Sequence, residues 1–264
     1  MKKYIIIFIL AIFVTSCNQY QKALKSEDMA VKLETATKLY EKTKYFKALT
    51  LFEQIAPAYK GKPSAENLFF MQAQSYYKTR QYGLSGYHFS SFASGYPKSE
   101  KAEEAFFLSA KSYSMMSPTY SLDQTDTDKA IEKLQEFIDR YPNSQFFAEA
   151  NAIVKVLKTK LEKKAFENAK LFNSISDYKA AIIALDNFVS DFPGTPFKEE
   201  ALYIKFDSAY QLAINSVPEK MEARLNTAKS AYTNLIKFKE DTKYKEKASD
   251  MLARVDTELK KYNK

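Results

Sequence analysis

An all-α fold of stacked helix pairs is predicted by three observations. One apolar pattern recurs four times at helical spacing, and each copy follows a small residue with a large apolar one three positions on. Five glycines and eight prolines in 264 residues leave few breaks, and the prolines fall mostly between the apolar segments.

The chain opens with the parts of an export signal over residues 1–16. Lys2 and Lys3 form the charged start, Tyr4 to Val14 the apolar stretch, and small residues lead to Cys17. A spanning helix needs about 20 apolar residues, so this run is too short to serve as an uncleaved anchor. The tetrapeptide Val14-Thr15-Ser16-Cys17 resembles the lipobox of bacterial lipoproteins. Under that resemblance the signal is cut before Cys17, the thiol takes a diacylglycerol and the new amino terminus is acylated. An ordinary buried cysteine behind a signal is the alternative. Acylation would consume the one thiol of the chain, so the exported body holds no disulfide and depends on its core. Residues 17–28 are read as a lipid-anchored linker.

The repeats follow. Ala48, Phe52, Ile55, Ala56 and Tyr59 lie at offsets of 0, 4, 7, 8 and 11, one face of a helix. The same offsets return in Ser85, Phe89, Phe92, Ala93 and Tyr96, in Ala130, Leu134, Phe137, Ile138 and Tyr141, and in Ala181, Leu185, Phe188, Val189 and Phe192. A fainter fifth copy, Ala228, Tyr232, Leu235 and Ile236, puts Lys239 where the aromatic should stand. Each copy has a partner helix ahead of it, marked by Ala36 and Leu39, Ala73 and Tyr76, Ala110 and Tyr113, Ala169 and Phe172, and Ala209 and Leu212. Small residues let helices approach while large ones fill the groove between them. Helix, short turn with an aromatic, helix and closing proline is the layout of tetratricopeptide repeats. The expected fold is a tetratricopeptide-repeat superhelix of about five helix pairs. Residues 29–215 hold repeats one to four and the first helix of the fifth; residues 216–264 hold its second helix and a C-terminal helix.

Three repeats end alike, in Tyr96-Pro97-Lys98-Ser99, Tyr141-Pro142-Asn143-Ser144 and Phe192-Pro193-Gly194-Thr195. Proline stops one helix, and the hydroxyl residue two positions on can cap the next. Carboxylates such as Glu103, Glu149 and Glu199 then suit the positive start of the following helix. Met115 to Thr127 reads as an inserted connection within repeat three, with Asp128 capping the helix behind it.

Catalytic chemistry has little to work with. His88 has no cysteine or second histidine near it and reads as a surface or packing residue, and the scattered carboxylates are those of any charged helix. Gly83-Leu84-Ser85-Gly86 lacks the Gly-Lys-Ser/Thr ending of a phosphate loop and reads as a loosened turn or a site of close packing. Asp123, Asp126 and Asp128 have the wrong spacing for a calcium loop. No catalytic residue, metal or cofactor is expected. The formal charge of +8 falls to +6 without Lys2 and Lys3 and is spread over Lys-rich helices, so an exported chain of this kind is not expected to bind nucleic acid.

A lipobox, five such repeats, the Tyr-Pro-x-Ser endings and the segment Asp128 to Phe146 together resemble the BamD family of outer-membrane assembly factors. The resemblance spans about Cys17 to Ala213, and the Lys-rich tail from Ser216 departs from it. It implies a non-enzymatic lipoprotein pinned to the outer membrane with its body in the periplasm. Its implied partners are a β-barrel insertase carrying POTRA domains, docked by later repeats, and unfolded outer-membrane barrel proteins received by early ones. Stacked helix pairs form grooves suited to an extended segment, and tyrosine gives such a groove apolar area with polar tips. Tyr76, Tyr77, Tyr82 and Tyr87 are the candidate substrate contacts, with Tyr76 and Tyr82 also at repeat packing positions. A periplasmic adapter for cell-wall enzymes, or an envelope tether, is the competing reading. A glycan-binding lipoprotein would call for tryptophan, which the chain lacks.

Overall fold

The computed structural model describes residues 19–62 and 65–262, so the signal segment and Cys17 lie outside the described residues. A helical stretch over 19–25 leads into eleven helices, and no strand occurs among the described residues. They are α1 (Met29–Glu41), α2 (Tyr45–Tyr59), α3 (Glu66–Lys78), α4 (Tyr82–Gly95), α5 (Ala102–Ser114), α6 (Thr125–Arg140), α7 (Phe147–Ser174), α8 (Tyr178–Asp191), α9 (Lys198–Ile214), α10 (Pro218–Phe238) and α11 (Lys245–Leu259). Taken in order they make five antiparallel pairs and a final single helix, the all-α tetratricopeptide-type arrangement that the sequence predicts. The described residues form two compact units, one running up to Pro118 and taking in Asp123–Leu157, the other made of Thr119–Leu122 and the residues from Lys158 on; α7 contributes to both.

Repeated positions in the sequence become repeated positions in the core. Offsets 0, 4 and 7 are buried in each of the first four second helices, as Ala48, Phe52 and Ile55, then Ser85, Phe89 and Phe92, Ala130, Leu134 and Phe137, and Ala181, Leu185 and Phe188. Each cluster also takes residues from the helix that opens the next repeat: Leu68 joins the first, Ala105 the second, Ala150 and Leu157 the third, Ala201 and Ile204 the fourth. In the last cluster Ala248, Val255 and Leu259 of α11 do the same for repeat five. A repeat therefore completes its core only with the helix that follows it.

Phe172 departs from the expected rule. It is exposed, and Phe166, three residues before Ala169 rather than three after, fills that core at 1 % exposure. Gly86 is the close-packing site of its motif: it is buried, and a Cβ there would stand 3.1 Å from the Tyr113 ring. Asp128 does not cap α6. The helix starts at Thr125, where the Asp123 carboxylate accepts the Thr125 N–H at 2.9 Å, and Asp128 falls in its first turn.

The turns inside repeats one, two and four share one geometry. Thr43, Arg80 and Ser176 take φ of 57°, 62° and 63°. The next residue's N–H reaches back to the carbonyl of Leu39, Tyr76 or Phe172, each at 2.9 Å, which closes a left-handed helix cap. None of the three is glycine, so each carries strain in its backbone.

Junctions between repeats use the hydroxyl that follows proline twice over. Ser99, Ser144 and Thr195 accept the N–H two residues on, at 3.0, 3.0 and 3.3 Å, and so start the next helix. Ser99 and Ser144 also donate to Glu66 and Glu103, each at 2.5 Å, in the first turn of the preceding repeat's first helix. Thr242 repeats the arrangement, donating to Glu199 at 2.7 Å. Beside these bonds run stacked rings: Phe146 on Phe107 at 4.7 Å, Phe197 on Phe166 at 5.5 Å and Tyr244 on Tyr203 at 4.1 Å between centroids.

Two outcomes follow. Thr43→Gly should stabilise the protein by about 1 kcal/mol in chemical denaturation, because a β-branched residue is replaced at positive φ. Glu199 is held at about 2, below its ordinary 4.5, by bonds from Lys239 and Thr242 and by the Lys243 N–H. A depressed carboxylate contributes stability above its unfolded value and loses it as pH falls toward its folded one. The melting-temperature gap between the native chain and Glu199→Gln should therefore be full at pH 6 and close between pH 4.5 and 2.

Candidate functional site

In the first unit, α2, α3 and α4 enclose a groove of about 850 Å³. Its walls are Ala56 and Pro57 of α2, Phe69 and Tyr76 of α3, Tyr87 and Phe92 of α4, and Tyr96 from the turn after α4. The repeat pattern explains the shape. α3 is drawn into the core by Leu68, Phe70 and Ala73, so its opposite edge becomes the floor between two second helices.

The polar lining of this groove is mixed: Glu53 accepts, Lys60 donates, and the tyrosine hydroxyls, Ser91 and His88 can do either. Gln72 lies in the floor at 3 % exposure, and its side-chain oxygen has no hydrogen-bond partner. Pro57 sits inside α2 and has no N–H to offer the Glu53 carbonyl four residues back. The Glu53 carboxylate accepts the Tyr76 hydroxyl at 2.8 Å, and burial, together with this bond, raises the phenol well above its ordinary 10. His88 stacks on Tyr76 at 4.8 Å and 17° and meets the edge of Tyr87 at 5.3 Å. Burial lowers the imidazole below 6.5, and the nearby Glu53 charge opposes that shift. Lys60, exposed, is the cation of the lining. A buried acceptor without a partner costs free energy until a donor arrives. The groove thus pairs aromatic walls with one buried acceptor that lacks a donor.

The four tyrosines singled out by sequence divide into two pairs. Tyr76 and Tyr87 line the groove, Tyr76 buried and Tyr87 62 % exposed. Tyr77, turned about 100° from Tyr76 around α3, packs edge-to-face with Tyr82 at 5.6 Å and is not part of the lining. Burial raises its phenol, and the neighbouring Lys111 ammonium, paired with Glu149 at 2.6 Å, partly offsets that. Gln72, Glu53 and His88 carry most of the groove's polar character and have no signal in the repeat pattern. The position of His88, one before buried Phe89, is the nearest thing to one.

Among the described residues no three acidic, histidine or cysteine side chains stand close enough to hold a metal. No helix among them is long and apolar enough to cross a membrane.

A family model described as an outer membrane lipoprotein, YfiO, matches residues 26–225 and again 171–263. The chain belongs to the YfiO family, the BamD outer membrane lipoproteins. No curated protein matches it at a significant level. The second match corrects the expectation that the family pattern stops near Ala213: it runs through α10 and α11, where α11 packs on repeat five as an opening helix would. Outer-membrane association follows from the family.

With one histidine in the chain, proton NMR follows His88 directly. Its midpoint should lie below 6.5, and Glu53→Gln should lower it further by removing the opposing charge.

Proposed function

We propose that this lipoprotein is a non-enzymatic subunit of the machinery that assembles β-barrel proteins in the outer membrane. Residues 1–16 are its export signal and Cys17 its acylated first mature residue, which holds the body at the membrane on the periplasmic side. Early repeats take up an extended segment of an unfolded barrel protein, and later repeats dock on a barrel insertase through its POTRA domains. The family match supports the outer-membrane lipoprotein part of this reading.

One observation carries the binding role: a groove of about 850 Å³ walled by aromatic rings, with an unpartnered Gln72 oxygen in its floor. Extended barrel segments place apolar side chains on one face and carry unpaired backbone N–H groups along their edges, so the rings can take the first and the Gln72 oxygen one of the second. Tyr76 and Tyr87 supply ring surface at the groove. Tyr77 and Tyr82, beside Lys111 and Glu149, form a separate surface for the same substrate outside it.

Purification of the tagged, full-length protein from its own envelope should bring down a large POTRA-bearing barrel in comparable amount; wall synthases or hydrolases without such a barrel would assign the adapter role instead. A labelled carboxy-terminal barrel peptide should bind the purified protein about tenfold more weakly after Tyr87→Ala, the loss of about 1.4 kcal/mol. The same peptide should bind more weakly as pH falls from 7 to 5. Occupancy buries His88 further, so the neutral ring binds, and protonation below its lowered midpoint must be reversed first.

A further inference from the structure

The first helix pair ends in a surface that the groove does not use. At the turn between α1 and α2, Phe46 is 70 % exposed, the largest exposure among the large apolar residues of the described chain. Lys42 and Lys47, both exposed, flank it, and Thr43 makes the turn. The helical stretch over 19–25 arrives at the same place: Ala23 is buried in the first repeat's core, and the Lys47 ammonium lies over the Tyr20 ring at 5.2 Å. Lys22 and Lys25 are exposed on that stretch. Across 19–25 and 41–47 there are five lysines against a single acid, Glu41.

The position of this surface is set by where the chain goes next. Cys17 stands three residues before Tyr20, and three residues reach at most about 10 Å. Whatever conformation they take, an acyl group on Cys17 holds the Tyr20 backbone within about a nanometre of the anchored cysteine, and the Lys47 ammonium lies 5.2 Å from the Tyr20 ring. An exposed aromatic ring ringed by long basic side chains suits the boundary layer of a bilayer, with the ring among the upper acyl carbons and the ammonium groups among phosphates.

We propose that the tip of the first repeat rests on an anionic bilayer surface, with Phe46 in the interface and Lys22, Lys42 and Lys47 against the headgroups. This rests on acylation at Cys17 and adds a second contact that fixes how the body stands on the membrane. The several acyl chains on Cys17 already make attachment firm; the basic patch and the ring set the orientation of the body on the surface.

The chain has no tryptophan, so Phe46→Trp in the full, acylated protein gives a unique reporter at a position that tolerates it. The protein is reconstituted into vesicles of phosphatidylethanolamine with phosphatidylglycerol, floated to measure attachment and weighed by mass spectrometry to count acyl chains. Emission should shift to shorter wavelength and be quenched by lipids brominated near the headgroup. The shift should be lost in phosphatidylcholine alone, in 1 M salt, where charges are screened beyond about 3 Å, and in Lys22→Gln/Lys42→Gln. Flotation with emission unchanged from that of an exposed indole would overturn the surface while leaving the anchor in place. An equal shift in phosphatidylcholine would overturn its preference for anionic lipid. A shift kept by protein that carries no acyl group would retain the surface and discard the anchor; loss of both flotation and shift would remove both.

Discussion

Everything in this protein depends on the junction at which one repeat is tied to the next. An aromatic residue before proline closes over the seam, and a hydroxyl two positions later reaches back to a glutamate in the preceding repeat's first turn. Ser99 with Glu66 and Ser144 with Glu103 are two copies of that arrangement, and Thr242 makes the same bond to Glu199 without the aromatic and proline. Each is a charge-assisted contact at the positive start of a helix, where a carboxylate is already favoured. A stacked ring pair lies beside two of them, Phe146 on Phe107 at the Ser144 junction and Tyr244 on Tyr203 at the Thr242 junction. Since each core takes its last residues from the following helix, the junction also decides whether the core behind it is complete.

Much of this was legible in the residues because a helix writes its buried face at fixed offsets. The alignment of Ala48, Ser85, Ala130, Ala181 and Ala228 places five second helices, and all five of these residues are buried. The Tyr-Pro-x-Ser endings likewise show where helices stop. The second use of their hydroxyls was not legible, since the glutamates they reach lie 33 to 43 residues away and nothing local marks the pair. Phe172 misled for a related reason. The spacing rule fits a helix of three or four turns, whereas α7 runs for 28 residues and brings Phe166 to the core instead.

The groove shows the same division. Tyrosine content pointed to the second repeat, and that is where the groove lies, but composition cannot say which way neighbouring residues face. Tyr76 and Tyr77 are adjacent in sequence and part company on the helix, one toward the groove and the other toward Lys111. Gln72 and Glu53 belong to no motif; their importance comes from burial and from a proline that withholds a donor. A pattern read along the chain finds the walls of such a groove and misses its chemistry.

The last helix has a wider meaning for how the chain behaves in company. A stack in which every repeat needs the next one has an unfinished edge, and that edge is adhesive to any similar chain. α11 covers it: Ala248, Val255 and Leu259 face repeat five, Arg254 donates to the Tyr210 hydroxyl there at 3.2 Å, and Lys245, Glu246, Lys247 and Asp250 are exposed. Charges of both signs on that outer side give another copy nothing to pack against. The helix thus closes the core of repeat five and turns a charged side to solvent.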